Sequence, residues 1–249
     1  MQLALVLHQA RYDLRAFLRN KQARYFTFAL PLVLLVVFCG VFGDHRVGPH
    51  HVEASTYYVP GLATLAIIAA SFVNLVISVT AQREAGVLKR RRATPVPSWV
   101  LIAGRTLTSA AVSLATLTVL LVVGRVAYAV PLEPAAIPAI AATAVLGSAA
   151  FCALAYALST WIGSADGAQP IVQAIIVPLY FVSGVFVPVA DLPRGLRRVA
   201  EIFPVEHLAD GLHQAGFVWS DLAVLAFWAV AGLVVALRRF SWTPAATDS

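Results

Sequence analysis

Residues 58–80 read YVPGLATLAIIAASFVNLVISVT, twenty-three positions without an aspartate, glutamate, lysine, arginine or histidine. A helix that crosses the hydrocarbon layer of a bilayer needs about 20 mostly apolar residues, so this stretch is long enough to span. Five further stretches share its character, at roughly 25–42, 99–123, 135–161, 168–187 and 220–237. At about 1.5 Å per residue each would be roughly 26 to 40 Å long as a helix, which suits a bilayer core with some tilt. Over the whole chain of 249 residues, 60% are hydrophobic and 12% charged, whereas a soluble domain carries about 25% charged residues. The expected fold class is therefore an all-α membrane protein with six transmembrane helices. Short loops leave no room for a fused soluble catalytic module.

The net charge of +6 would point to nucleic acid in a soluble chain, but the basic residues stand beside the apolar stretches, where they orient a membrane protein. No nucleic-acid partner is expected. Six spans put both ends of the chain on one side. That side collects Arg11, Arg15, Arg19, Lys21 and Arg24, then Arg83, Lys89, Arg90, Arg91 and Arg92, then Arg238 and Arg239, twelve in all. The other side has Arg46, Arg125, Arg194, Arg197 and Arg198, five in all. The positive-inside rule makes both termini cytoplasmic. Arg105, just inside the third span on the richer side, is expected to snorkel back to that interface. Scarce lysine beside abundant alanine, valine and arginine points to a GC-rich genome and hence to a bacterial plasma membrane.

Ahead of the first span, residues 2–22 place Leu3, Leu7, Ala10, Leu14 and Phe17 or Leu18 at helical spacing, with Gln9, Asp13, Arg15 and Arg19 elsewhere on the surface. One apolar stripe on a polar helix predicts an amphipathic helix lying along the membrane surface. The segment lacks the continuous apolar core and small-residue cleavage site of a signal peptide, so it is expected to be retained. In the fourth span Ala149, Ala153 and Ala157 recur every four residues, a face small enough for another helix to approach closely.

Two loops carry more pattern than topology requires. Residues 81–98, between spans two and three, contain Arg83-Glu84-x-Gly86-x-Leu88-Lys89-Arg90, then Arg91, Arg92, Thr94, Pro95 and Pro97. The first part can form a short helix, and the prolines force a stiff, extended return to the membrane. Residues 188–219, between spans five and six, follow Ser183-Gly184-x-Phe186-x-Pro188 and contain Asp191-Leu192-Pro193, Leu196, Val199, Phe203 and Pro204. Proline punctuation and the apolar spacing of Leu192, Leu196, Val199 and Phe203 predict two short amphipathic helices at the outer interface, interfacial or re-entrant.

These residues resemble the permease subunits of type-two ABC exporters, the family that includes daunorubicin-resistance-type drug exporters and polysaccharide export permeases. The likeness covers nearly the whole chain, residues 1–249, as one permease domain. It is carried by Arg83-Glu84-x-Gly86-x-Leu88-Lys89-Arg90 through Thr94-Pro95, and by Gly184, Phe186, Pro188, Pro193 and Pro204. The resemblance implies a homodimer, or a pair with a close homologue, in contact with membrane lipid and carried on two copies of a cytoplasmic ABC ATP-binding subunit. It also implies that Arg83, Glu84, Gly86, Leu88, Lys89, Arg90, Arg92, Thr94 and Pro95 couple the permease to that ATPase, with Leu88 as an apolar anchor and Glu84 capping the segment or pairing with a basic partner residue. Arg91 departs from the family, whose members often carry an apolar residue there.

The chain has two lysines, Lys21 and Lys89, and neither sits in a G-x-x-x-x-G-K-[ST] phosphate loop. No cofactor is expected in this chain; ATP and magnesium belong to the partner. The implied function is the transmembrane subunit of an ATP-driven exporter of a hydrophobic or amphipathic substrate (a drug, antibiotic or lipid), with a lipid-linked glycan or a non-transporting scaffold as alternatives. Polar groups in lipid tend to turn inward, which singles out Asn74, Gln173 and Tyr180 as the substrate pathway, or as groups that tie helices together. No mid-span carboxylate or histidine is available for proton coupling. The spans hold serines without a histidine beside them, so there is no catalytic residue to assign and the chain is expected not to be an enzyme. Asp44, His45, His50, His51 and Glu53 crowd the first outer loop without a recognised ligand spacing, and no metal site is assigned. Cys39 and Cys152 fall in apolar stretches, which speaks against a structural disulfide. Asp166, before the fifth apolar run, is expected to be that helix's N-cap.

Overall fold

A computed structural model of the chain describes residues 2–42, 46–47, 52–88, 98–214 and 216–239. Six helices are long and apolar enough to cross a membrane: Lys21–Phe42, Ala54–Glu84, Trp99–Tyr128, Pro134–Ser159, Ala165–Val182 and Trp219–Arg239. They are spans one to six, each overlapping the stretch expected from the sequence. Apart from a two-residue antiparallel pair, Arg46–Val47 with Val52–Glu53, the described residues are helices and turns. We call the end of the bundle that carries the chain termini the terminal face and the opposite end the distal face.

Span two is the axis. It buries 78% of its apolar stretch, whereas spans one, five and six bury 22% each. In a bilayer this is the expected economy: lipid covers Val33, Val36, Val37 and Val41 of span one, which are all exposed, without the hydrophobic cost that water would impose. Spans four and six cross where Gly232 lies on the backbone of Ala153; a Cβ on Gly232 would stand 2.9 Å from the Ala153 carbonyl carbon. The small-residue face of span four is used at that crossing, with Ala153 and Ala157 buried.

Spans one and two each contain one π-helical turn, Tyr25–Ala29 and Ala69–Val73. Pro31 explains the first. It has no N–H to donate to residue 27 and its ring crowds that carbonyl, so the preceding turn widens. In the second, the Ser71 hydroxyl donates back to the Ile67 carbonyl at 2.6 Å, a contact that bends helices. The two wide turns face each other, and Asn74 Nδ2 donates to Thr27 Oγ1 at 3.0 Å across the gap. Such turns recur at functional sites.

The N-terminal helix, Gln2–Arg19, docks on span three through a mixed face of small, apolar and polar residues. Val6, Ala10 and Asp13 are buried, while Leu3, Leu7 and Leu18 are exposed. The reason lies at Gly104 in span three, where a side chain would collide with Gln9 at 2.7 Å. The helix backbone comes close enough for Thr108 Oγ1 to reach the Ala10 carbonyl at 3.0 Å. The expected apolar stripe is divided: Ala10 is buried in the contact and Leu14 and Phe17 are half-buried, while Leu3, Leu7 and Leu18 stay exposed.

Between spans five and six, a 3-10 turn (Val189–Asp191) and two helices (Arg194–Ala200 and Pro204–His213) cover the distal face. The second helix buries Val205, Leu208, Ala209 and Leu212 among spans two, four and six. Leu208 fills the space over Gly147. The first behaves differently from its periodicity: Leu196 and Val199 are exposed and only Ala200 is buried, because its apolar face points away from the bundle.

Candidate functional site

A cavity of about 780 Å³ runs between the N-terminal helix and spans one, two, three and five. Its walls are chiefly aliphatic, from Leu65, Ala69 and Val73 to Val112 and Val177. Asn74, Gln173 and Tyr180, which the sequence singled out separately on spans two and five, all line it. Gln169 joins them one turn before Gln173 on the same face of span five. At the far end Tyr180, Phe181 and Phe186 line the wall, with the Phe186 ring 5.7 Å from that of Phe38 and 5.3 Å from that of Phe181.

The charged side chains on this wall are matched. Arg105 Nε lies 3.4 Å from Asp13 Oδ1, and its Nη1 donates to Ser78 Oγ at 3.1 Å. Gln9 donates to the other Asp13 oxygen at 2.9 Å. Arg105 finds its counter-charge on the N-terminal helix. Nothing in the sequence marks Asp13 as its partner, since the two are brought together only when that helix docks at Gly104. With the pair neutralised, the cavity offers apolar surface and amides without net charge.

At the terminal face, the opening of the Arg83–Pro95 segment departs from the expectation of groups held out to a partner. Arg83 is 4% exposed. Its Nη1 donates to the Ser159 carbonyl at 2.7 Å and its Nη2 to the Ile162 carbonyl. Glu84 Oε2 accepts from the Ala165 backbone N–H at 2.7 Å. Gly86 adopts φ +67°, the left-handed turn that ends the helix. Leu88 is buried in the chain's own core. Lys89, Arg90, Arg91, Arg92, Thr94 and Pro95 lie outside the described residues. The N-cap of span five is Ser164, whose hydroxyl accepts from Gly167 N–H at 3.2 Å. That corrects the assignment to Asp166, which sits within the first turn.

The distal segment is built on span two. Gly184 has φ +79°, and its carbonyl accepts from the Tyr57 hydroxyl. Pro188 and Pro193 precede the 3-10 turn and the first distal helix, and Pro204 opens the second. Proline suits these places because it needs no N–H there.

One cluster on the distal face had no sequence signal. His207 Nδ1 lies 2.8 Å from Asp221 Oδ1 and 3.4 Å from Glu206 Oε2, and its Nε2 lies 2.9 Å from the Glu201 carbonyl oxygen. Burial alone would lower the His207 pKa, but the bonds to Asp221 and Glu201 and the charge of Glu206 outweigh it and the net shift is upward. Burial also raises Glu206, against the opposing pull of His207. A folded state that holds the His207 proton more tightly than the unfolded chain gains stability that is complete below the ordinary value of 6.5. That gain is lost as pH rises through the raised value. Burial lowers the His213 pKa on the same helix, which adds stability as pH rises and opposes His207. The expected result is therefore read as a difference, His207→Gln lowering the apparent melting temperature of the detergent-solubilised protein more at pH 6 than at pH 8. An equal loss at both pH values would show that the His207 proton does not contribute.

Of the acidic and histidine residues in the first distal loop, Asp44, His45, His50 and His51 lie outside the described residues. Among the described residues, no group of three or more His, Cys, Asp or Glu side chains is arranged to hold a metal ion. Cys39 and Cys152 are both buried and unpaired with each other.

Comparison with known proteins gives a consistent picture. A family model described as ABC-2 type transporter matches residues 5–217. The "Inner membrane transport permease YadH" of Escherichia coli (strain K12) is 21% identical over 222 residues, covering 87% of this chain and 86% of the relative. The protein of the same name from Shigella flexneri is similar to the same extent.

Proposed function

The chain belongs to the ABC-2 type transporter family, and on that premise we propose that it is the membrane half of an exporter that moves a hydrophobic or amphipathic substrate out of the cytoplasm or inner leaflet. As a membrane-embedded permease subunit of an ABC transporter, it works with an ATP-binding subunit. The proposed assembly has two such subunits, which bind ATP and magnesium, and a second permease copy or close homologue. In this reading both termini face the cytoplasm, which the twelve-to-five distribution of Lys and Arg supports.

The observation that carries the substrate class is the cavity. Its walls are aliphatic and aromatic, the Arg105–Asp13 pair among the described residues is internally matched, and Asn74, Gln169 and Gln173 supply amides. A fully charged solute would lose its hydration there without a counter-charge. A neutral or amphipathic molecule would keep its apolar part against Val73 and Val177 and place a polar group at the amides. Those amides also suit the hydroxyls of a lipid-linked glycan, which is the second reading. A drug or antibiotic is the first, because apolar wall predominates over amide.

Purification in mild detergent from the native membrane tests the architecture. The expected result is co-isolation of an ATP-binding subunit in equal amount, with vanadate-sensitive ATPase activity stimulated by apolar amphipaths more than by glycolipids. Isolation of the permease alone, repeated after crosslinking, would move the scaffold reading to the front.

A further inference from the structure

Adjacent residues of opposite charge close span two, and each is directed at a different end of one turn. Arg83 donates to the carbonyls of Ser159 and Ile162, at and just beyond the C-terminus of span four. Glu84 accepts from the N–H of Ala165, the first residue of span five. The last carbonyls of a helix are unpartnered and carry partial negative charge, and the first N–H groups are unpartnered and carry partial positive charge. The cation is thus on the negative end and the anion on the positive end, so both bonds are charge-assisted. Immediately after them Gly86 N–H bonds back to the Arg83 carbonyl at 3.0 Å and the helix stops.

We propose that Arg83 and Glu84 are a clasp that makes the head of span five move with the coupling segment, rather than contacts for the ATP-binding subunit. Span five carries Gln169 and Gln173 into the cavity, so a displacement of the end of span two reaches the cavity wall through one turn of chain. Arg83 is the chief element, since it is buried and its forked guanidinium spans two carbonyls at once. Glu84, at the exposed rim, fixes the first N–H of span five. Both are positioning residues. The proposal rests on the coupling reading of the segment that follows them.

Two conservative variants separate a clasp from a docking contact. Arg83→Lys keeps the charge that a docking site would need but loses the fork. Glu84→Gln loses the charge but keeps an oxygen that can accept from Ala165. The measurement is hydrogen exchange of the purified complex with and without ATP and vanadate, read at residues 163–173. In the wild type, trapping is expected to change exchange there. In Arg83→Lys this nucleotide-dependent difference is expected to shrink at least about fivefold while the ATP-binding subunit stays bound in equal amount, and in Glu84→Gln more than half of it is expected to remain. A merely structural role would alter exchange equally with and without nucleotide.

Wild-type transmission in Arg83→Lys, or release of the ATP-binding subunit by Glu84→Gln, would overturn the proposal. Should the wild type carry no ATP-binding subunit, the exporter reading itself fails, and the clasp is read in the permease alone. Arg83→Lys must then speed exchange at residues 163–168 relative to Glu84→Gln, and equal exchange overturns it.

Discussion

Gly61→Ala is expected to cost the protein at least about 3 kcal/mol, enough to leave little monodisperse material after detergent extraction. A Cβ at position 61 would stand 2.4 Å from the Val185 carbonyl oxygen and 3.3 Å from its carbonyl carbon. Overpacking a side chain against side chains typically costs about 1–3 kcal/mol, and a backbone atom cannot relieve the clash by changing rotamer. Nor can the segment lift away at low cost. Val185 is fully buried, and Gly184 beside it is held by the Tyr57 hydroxyl. Helix propensity works in the opposite direction, since alanine is favoured over glycine in a helix interior by roughly 1 kcal/mol, but the clash is larger. Gly40→Ala is the matched control. It also lies in a span, and nothing stands within 4 Å of its Cβ position, so it is expected to be neutral or slightly stabilising. Fluorescence-detected size exclusion after graded heating compares the two. Equal survival would mean that residues 183–188 do not rest on span two.

That contact illustrates what was and was not legible in the sequence. The spans were legible because the bilayer asks only for length and apolarity, properties that neighbouring residues settle among themselves. The same holds for the distal helices, whose starts are marked by Pro193 and Pro204. What remained hidden depends on partners distant in the chain. Asp13 reads as a surface residue until Gly104 lets the N-terminal helix approach, and it then becomes the counter-ion of Arg105. Arg83 reads as one more positive charge at an interface until the carbonyls of Ser159 and Ile162 are seen at its guanidinium. His207 and Asp221 meet only because the second distal helix settles beside the head of span six. The N-terminal helix was legible as amphipathic, but not which side would dock. The contact is made at one edge of the stripe, where Ala10 meets Gly104 and Thr108 and the neighbouring Gln9 and Asp13 add polar contacts, an edge that only the partner helix defines.

Charge reversal at Arg90 and Arg92 together is expected to abolish vanadate-sensitive ATPase activity of the complex and to weaken its assembly by at least about 100-fold. The segment from Lys89 to Arg92 places four consecutive basic residues, and a partner groove that attracts them must be acidic. Turning two of them to glutamate replaces attraction by like-charge juxtaposition, which costs several kcal/mol at an interface. Insertion should survive. The Lys and Arg count of twelve against five becomes ten against five, so the positive-inside bias keeps its sign. Arg194→Glu with Arg197→Glu is the control: it makes the same change in net charge on the other side, and the count of twelve against three again keeps its sign. That variant is expected to assemble and hydrolyse ATP as the wild type does. The two double variants therefore have the same composition and the same net charge, and differ only in where the reversal sits. An effect confined to Arg90 and Arg92 places the contact in the loop between spans two and three. Loss of activity in both would reduce it to a general effect of charge, and in neither would leave the ATP-binding subunit held by some other surface.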